Sequence, residues 1–241
     1  MFTTPIGALI SFLGISYHQF ADDTQLYTVI SSTSSCMENL SACADAVMAW
    51  YIRNDLLLNS IKTEVLAVGK RQQLAKFDTS RGVTVSGTII PFVQKIRVLG
   101  ADIDSELSLN DRITSVVRSC NYQIHALWHI MNLIDRDTAN RIAGSIVCSR
   151  LDYYNAILYG VTEFNISRLQ WVQKSLARTV CTAQYRSSCA GLRRFLHWLP
   201  VKERITYKVA AMTFKADFAT NRFTLPISHQ IRTVKGAALH R

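Results

Sequence analysis

The chain has 241 residues, of which 49% are hydrophobic and 18% charged, and a formal net charge of +10. That length suits one large domain or two small ones with a sizeable core, and so low a charged fraction excludes a disordered, coiled-coil or solvating chain. Ten glycines and four prolines exclude collagen-like and linker-rich chains, while the basic excess points to a polyanionic partner, nucleic acid or an anionic membrane surface.

The charge is uneven. Residues 1–149 carry 12 Lys and Arg against 13 Asp and Glu, whereas residues 150–241 carry 15 against 4. Met1 to Ala21 is uncharged but lacks a basic start and an Ala-x-Ala cleavage site, so no signal peptide is expected. No apolar run is long enough for a membrane span. With no targeting signal legible, localisation is left open, intracellular in either nucleus or cytoplasm. The cysteines at 36, 43, 120, 148, 181 and 189 form no CxxC pair or Cys/His knuckle, which predicts reduced, buried thiols rather than zinc or a disulfide framework.

In chain order, Ile15 to Ile30 alternates aromatic and β-branched residues around Ala-Asp-Asp-Thr, predicting strand, tight turn, strand. Met37, Leu40, Ala44, Val47, Met48 and Tyr51 recur at helical spacing, predicting an amphipathic helix over 36–53. Strand-like runs follow at Glu64 to Val68, Val83 to Ser86, Thr88 to Phe92 and Lys95 to Ile103. After about residue 110 the period turns helical. One helix carries Ile113, Val116, Val117, Ile124, Leu127 and Met131. A second carries Ile142 and Ile146, with Asp137 as its cap. A third runs from Ile166 to Val180, capped by Asn165, and a fourth opens at Pro200 with Val201, Ile205, Val209 and Met212 inward. The fold class expected is α+β to about residue 108, then helical.

Chemistry is concentrated at Phe20-Ala21-Asp22-Asp23. Two adjacent acids at a hairpin tip repel each other, and divalent cation binding is one reason to keep them, since Mg²⁺ prefers carboxylate oxygens. A polar turn is the other reading. Side chains alternate along a strand, so one aspartate can face a metal squarely and the other only if the turn rotates it. A two-metal phosphoryl-transfer site needs a further carboxylate from another strand. Farther on, Arg193, Arg194, Lys202, Arg204 and Lys208 cluster around Phe195 and Trp198. Basic residues with interleaved aromatics suit a phosphate-tracking surface, and a solvated helix face is the alternative.

Phe20-Ala21-Asp22-Asp23-Thr24-Gln25-Leu26-Tyr27 resembles the aromatic-x-Asp-Asp box of reverse transcriptases, in the form found in non-LTR (LINE-type) retrotransposons. Leu58-Asn59-Ser60-Ile61-Lys62-Thr63-Glu64 is similar to the family's Leu-Asn-x-x-Lys-Thr element, and Leu99-Gly100-Ala101-Asp102-Ile103-Asp104 with Leu107 to its Leu-Gly segment. Arg150-Leu151-Asp152-Tyr153-Tyr154-Asn155, Leu169-Gln170-Trp171-Val172-Gln173 and Leu196-His197-Trp198-Leu199-Pro200-Val201 resemble its thumb and post-thumb signatures. Six such segments, from Phe20 to Val201, stand in the right order within the region 5–216 that the resemblance covers.

The resemblance implies a partial reverse-transcriptase palm over 1–108, built of β-hairpin, helix and short strands. A helical thumb and post-thumb region would follow over 109–216, with an unassigned tail at 217–241. It implies an RNA-directed DNA polymerase whose Asp22, supported by Asp23, binds catalytic Mg²⁺. Lys62 would stand near the incoming nucleotide's phosphates and protonate the pyrophosphate, or else be a solvated lysine. The implied partners are an RNA template and DNA primer duplex held by the thumb. No membrane, and no small-molecule cofactor beyond nucleotide and metal, is expected.

Departures accompany the matches. The family's fingers, first metal-binding aspartate and nucleotide-selecting segment lie upstream of the Asp-Asp box, where this chain has 19 residues, and the endonuclease domain is missing. Asp45 and Asp55 do not obviously replace the lost carboxylate. Phe20 stands where Tyr is usual, and Trp128 and Trp171 where the family keeps polar residues, which would place large rings near solvent. The expectation is a polymerase fragment inactive alone, a degraded copy of its element. A non-catalytic nucleic-acid-binding remnant and a non-functional globular fragment stay open.

Overall fold

A computed structural model describes residues 4–21, 23–30, 35–59, 62–80, 82–184, 186–222 and 236–240. The fold is mixed α+β. The chain divides into two units, one of residues 1–108 with 229–241 and one of residues 109–228.

The first unit runs α1 (Thr4–Phe12), β1 (Ser16–Phe20), β2 (Asp23–Val29), α2 (Ser35–Arg53), β3 (Glu64–Ala67), α3 (Arg71–Leu74), β4 (Val83–Val85), β5 (Thr88–Ile90), β6 (Phe92–Val93), β7 (Lys95–Val98) and β8 (Ala101–Asp104), and receives β9 (Gly236–His240) from the far end of the chain. A five-stranded sheet has the order β1-β2-β9-β3-β6, with β4-β5 and β7-β8 as separate hairpins. β9 pairs antiparallel with both β2 and β3, filling the space between them.

The period-2 stretch folds as its pattern dictates. β1 and β2 pair antiparallel from Ser16↔Tyr27 to Phe20↔Asp23. Tyr17 is opposite Leu26, and Leu26 aligns through β9 with Val65, so these side chains share one face. That face is covered by Ile6 and Ile10 of α1 and by Leu40, Cys43, Ala44, Val47 and Tyr51 of α2, all buried. The α2 set recurs every three or four residues, the stripe a core-facing helix needs. α1 comes close enough to the sheet that a Cβ on Gly7 would stand 2.3 Å from the Tyr17 hydroxyl.

Two turns refine the pattern. Ser86 and Gly87, at φ 48° and 78°, close the β4-β5 hairpin, and the Asp45 carboxylate of α2 accepts from the Ser86 amide. The run from Lys95 to Ile103, read as continuous, is broken by Leu99 and Gly100 at φ 46° and 80° into the β7-β8 hairpin. Paired left-handed residues are what a two-residue hairpin loop requires.

The second unit is helical throughout its described residues: α4 (Asn110–Ile130), α5 (Arg136–Ile142), a π-helical stretch (Ala143–Cys148), α6 (Ser149–Asp152), a 3-10 turn (Asn155–Leu158), α7 (Glu163–Val180), α8 (Cys189–Phe195) and α9 (Val201–Arg222). Its core joins Ile113, Cys120, Ile124 and Leu127 of α4 to Leu169, Val172, Leu176 and Val180 of α7, with Leu151, Val201 and Ile205 around them. Burying each such aliphatic side chain is worth roughly 1.5–3 kcal/mol.

Three terminal assignments differ from the sequence reading. The cap of α5 is Asp135, whose side chain accepts from the Thr138 amide at 2.7 Å, rather than Asp137. α7 starts earlier, with Thr162 accepting from the Asn165 amide, and Asn165 is buried inside the first turn. Met212 is exposed because α9 has left the core by that turn, Ile205 being its last buried residue among those described. All six cysteines are free thiols, but only Cys43, Cys120 and Cys148 are buried; Cys36, Cys181 and Cys189 are half-buried. Among the described residues no helix is long and apolar enough to cross a membrane.

Candidate functional site

The register of the first hairpin fixes what its tip can offer. Phe20 pairs with Asp23, the last pair of the ladder before the turn. Ala21 lies at φ 55°, the left-handed region a two-residue loop demands. Asp22 lies outside the described residues. Asp23 opens β2, half-buried, opposite the exposed Phe20.

Alternation then sorts the neighbours. Leu26 faces the helices, so Asp23 and Gln25 face the other way. Gln25 lies on β2 one step ahead of the Leu26↔Leu239 pair, and Glu64 pairs with His240 one step ahead of Val65↔Leu239. Glu64 therefore shares the open face with Asp23. β9 stands between β2 and β3, so two strand spacings of about 4.8 Å separate Asp23 from Glu64 across the sheet. Asp45 is spent on the Ser86 amide. Among the described residues no group of three or more His, Cys, Asp or Glu is placed to hold a metal. The described carboxylates do not fit a complete Mg²⁺ site.

Lys62 is exposed just before β3, its amide donating to the Asn59 carbonyl at 3.0 Å. Ser60 and Ile61 lie outside the described residues.

The five basic residues of the second unit have separate environments. Arg204, with only 18% of its side chain exposed, donates from Nη1 to Asp152 Oδ2 at 2.8 Å. Lys202 pairs with Glu163, whose hydrogen bond and charge raise the ammonium pKa above its ordinary value. Residues two apart on a helix point to different sides, and these two are turned to different acids. Arg193 is half-buried, with its Nε unpartnered, while Arg194 and Lys208 are exposed. Trp198 packs on the core, and the Phe195 ring carries the Arg136 guanidinium at 5.5 Å. The segment gathers positive charge, but only Arg194 and Lys208 present it freely among these five.

The segments around residues 150, 170 and 198 have a common physical role. Asp152 holds Arg204, Arg150 donates to Ser119 at 2.8 Å, and Arg112 donates to the Tyr153 carbonyl at 3.0 Å. Gln170 accepts from the Val201 amide at 3.0 Å and donates to Gln173, which donates to the Leu199 carbonyl. These residues bind the helices of the second unit to one another. Their polar character in apolar surroundings was the available signal for that role.

Trp128 and Trp171 are 60% and 56% exposed, as their departure from a polar pattern implied. Comparisons with protein-family models, curated proteins and solved structures find no match.

Proposed function

We propose that this chain is the C-terminal palm and thumb part of a LINE-type reverse transcriptase, a catalytically incomplete fragment of an RNA-directed DNA polymerase. The observation that carries the reading is the tight β1-β2 hairpin. It aims Asp23, at the start of β2, away from the helices that cover the sheet's other face. A helical unit with 16 Lys and Arg against 7 Asp and Glu follows it, in keeping with a surface for an RNA template and DNA primer. Asp22 and Asp23 are this chain's contribution to a Mg²⁺ site, with Lys62 beside the nucleotide. Among the described residues no group of three or more His, Cys, Asp or Glu is placed to hold a metal, so no catalytic step is assigned to the chain by itself.

Primer extension tests it. Purified chain with Mg²⁺, RNA template and DNA primer should incorporate no nucleotide, and incorporation lost in Asp22→Asn would overturn the incompleteness. Joining the chain to the fingers and first-aspartate strand of a LINE-type enzyme should restore extension that Asp22→Asn abolishes. A joined protein that folds yet never extends a primer speaks against the palm reading.

The basic excess of the helical unit favours a second reading, a nucleic-acid-binding remnant without catalysis. It predicts sequence-tolerant, salt-dependent binding that survives Asp22→Asn and weakens on neutralising Arg194 and Lys208. Binding insensitive to salt would count against it.

A further inference from the structure

Within the helical unit, α4 and α7 lie side by side and run in the same direction. Asn165 Nδ2 donates to Asn110 Oδ1 at 2.7 Å at their N-terminal ends, and Arg168 donates to Thr114 Oγ1 at 2.9 Å one turn on. At their C-terminal ends Trp128 and Arg178 line one cleft of about 560 Å³. The two helices therefore present one continuous outer surface.

Its composition is unusual for a solvated face. Phe164, Arg168, Trp171, Lys174 and Arg178 of α7 recur at the three- and four-residue steps that keep them on one side, the two rings exposed and the three cations half-buried. Rings and cations share that line. Phe164 is 72% exposed, the Arg168 guanidinium lies 5.9 Å from its centroid, and Lys174 Nζ lies 4.8 Å from the centroid of Trp171. On α4 the exposed Trp128 and Arg118 continue the surface. The acids of the two helices are Asp111 and Glu163, both in the first turn, and Glu163 is engaged by Lys202.

The pattern selects a class of partner. The core of a protein–protein interface is depleted of lysine, whereas here Lys174 lies against the exposed Trp171 ring. A helix lying on a membrane separates an apolar face from a basic one, whereas here rings and cations share a line. A duplex already stacks its bases on each other, leaving exposed indoles nothing to stack upon, while unpaired bases offer free faces. We propose that the α4/α7 face binds single-stranded nucleic acid, bases stacking on Trp128 and Trp171 and phosphates meeting Arg118, Arg168, Lys174 and Arg178. Arg168 and Arg178 are about 15 Å apart along the axis, enough for a few nucleotides. The proposal rests on the helical unit and does not require the hairpin to be a polymerase palm.

Fluorescence anisotropy on the full chain tests it, with labelled oligo(dT) and oligo(rU) of about 20 nucleotides and a blunt DNA duplex of equal length at several salt concentrations. Single strands should bind more tightly than the duplex. The double variant Trp128→Ala with Trp171→Ala should lose about tenfold or more for the single strands and change duplex binding little. Phe at both positions should recover most of that loss, which a merely misfolded protein would not do. Lys174→Gln with Arg178→Gln should lower the salt slope by about 1 to 2. Equal or tighter duplex binding overturns the proposal, as does single-strand binding untouched by the two alanines in a protein of unchanged circular dichroism. Failure to bind any oligonucleotide overturns it too. In that event, self-association or cosedimentation with phosphatidylserine vesicles that the two alanines abolish would assign the face to a second copy or a membrane. Primer extension is read separately, so a failed palm leaves this result standing.

Discussion

Gln173, wholly buried on α7, donates from Nε2 to the carbonyl oxygen of Leu199 at 2.8 Å. The same amide accepts from Gln170, which in turn accepts from the Val201 amide that opens α9. A buried amide in an apolar core is tolerated only when its donors and acceptors are met. Here the meeting serves a second purpose. The loop before α9 ends in Pro200, and the first amides of a helix have no partner within it, so Gln170 supplies one and Gln173 fixes the strand of chain leading in. The sequence signatures around 170 and 198 are two halves of one hydrogen-bonded joint.

Gln173→Leu should lower stability by about 1–3 kcal/mol, because it leaves the Leu199 carbonyl and a Gln170 donor without partners while keeping the volume. Gln173→Glu should cost more above neutral pH, since a carboxylate would be buried there without a cation. Urea midpoints of the two variants measure this. An unchanged midpoint for Gln173→Leu would show that the joint carries no strain-bearing role.

Arg204 separates structural from ligand-facing charge. Its ion pair with Asp152 is buried on the arginine side and 44% exposed on the aspartate side, which screens it. Arg204→Met should therefore cost about 1 kcal/mol and leave the salt slope of oligonucleotide binding where it was. Arg194→Gln and Lys208→Gln should behave in the opposite way, with stability kept and the slope reduced. A slope that falls equally for Arg204→Met would return Arg204 to the phosphate-binding set.

Ala21 is held at φ 55° in the connection between β1 and β2. An alanine in the left-handed region is disfavoured by about 1 kcal/mol or more relative to glycine. Ala21→Gly should therefore raise the melting temperature if the strain outweighs the added freedom of the unfolded chain, which opposes it by about 0.4–1 kcal/mol. The net gain expected is small and positive, and a thermal midpoint lowered by several degrees would contradict the turn geometry.

Much of the architecture was legible because apolar spacing reports burial. Leu40, Ala44, Val47 and Tyr51 announce α2, and Leu169, Val172, Leu176 and Val180 announce α7, through the side that faces the core. Helix ends were less legible, since Asp135 and Asp137 are equally good caps on composition and only backbone geometry chooses between them. β9 was illegible. Gly-Ala-Ala-Leu-His has no alternation, and its partners on β2 and β3 lie far away in sequence. The outward line on α7 escaped notice for a related reason: periodicity read for the core treats the opposite side as solvent, whereas its rings and cations repeat as regularly as the buried residues do. The acidic pair at 22 and 23 was visible at once, but that β9 stands between Asp23 and Glu64 followed only from strand order.

Buried thiols give the chain a defined alkaline response. Desolvation pushes Cys43 in the first unit and Cys120 in the second up to about 11, and Cys148 upward as well. In the unfolded chain a thiol releases its proton near pH 8.5. Between roughly pH 9 and 11 the folded state thus holds protons that the unfolded state has lost, and stability falls as pH rises through that window. Below it the contribution is fully present. Urea midpoints at pH 8, 9, 10 and 11 should decline for the wild type and less steeply for Cys120→Ala, the difference isolating this group from the lysines and tyrosines that titrate alongside. Alkylation of the native protein at pH 8 should reach the half-buried Cys189 well before Cys43 or Cys120, because the thiolate is the nucleophile. Rapid labelling of Cys120 at that pH, or parallel alkaline profiles for wild type and Cys120→Ala, would mean that the core around it admits water.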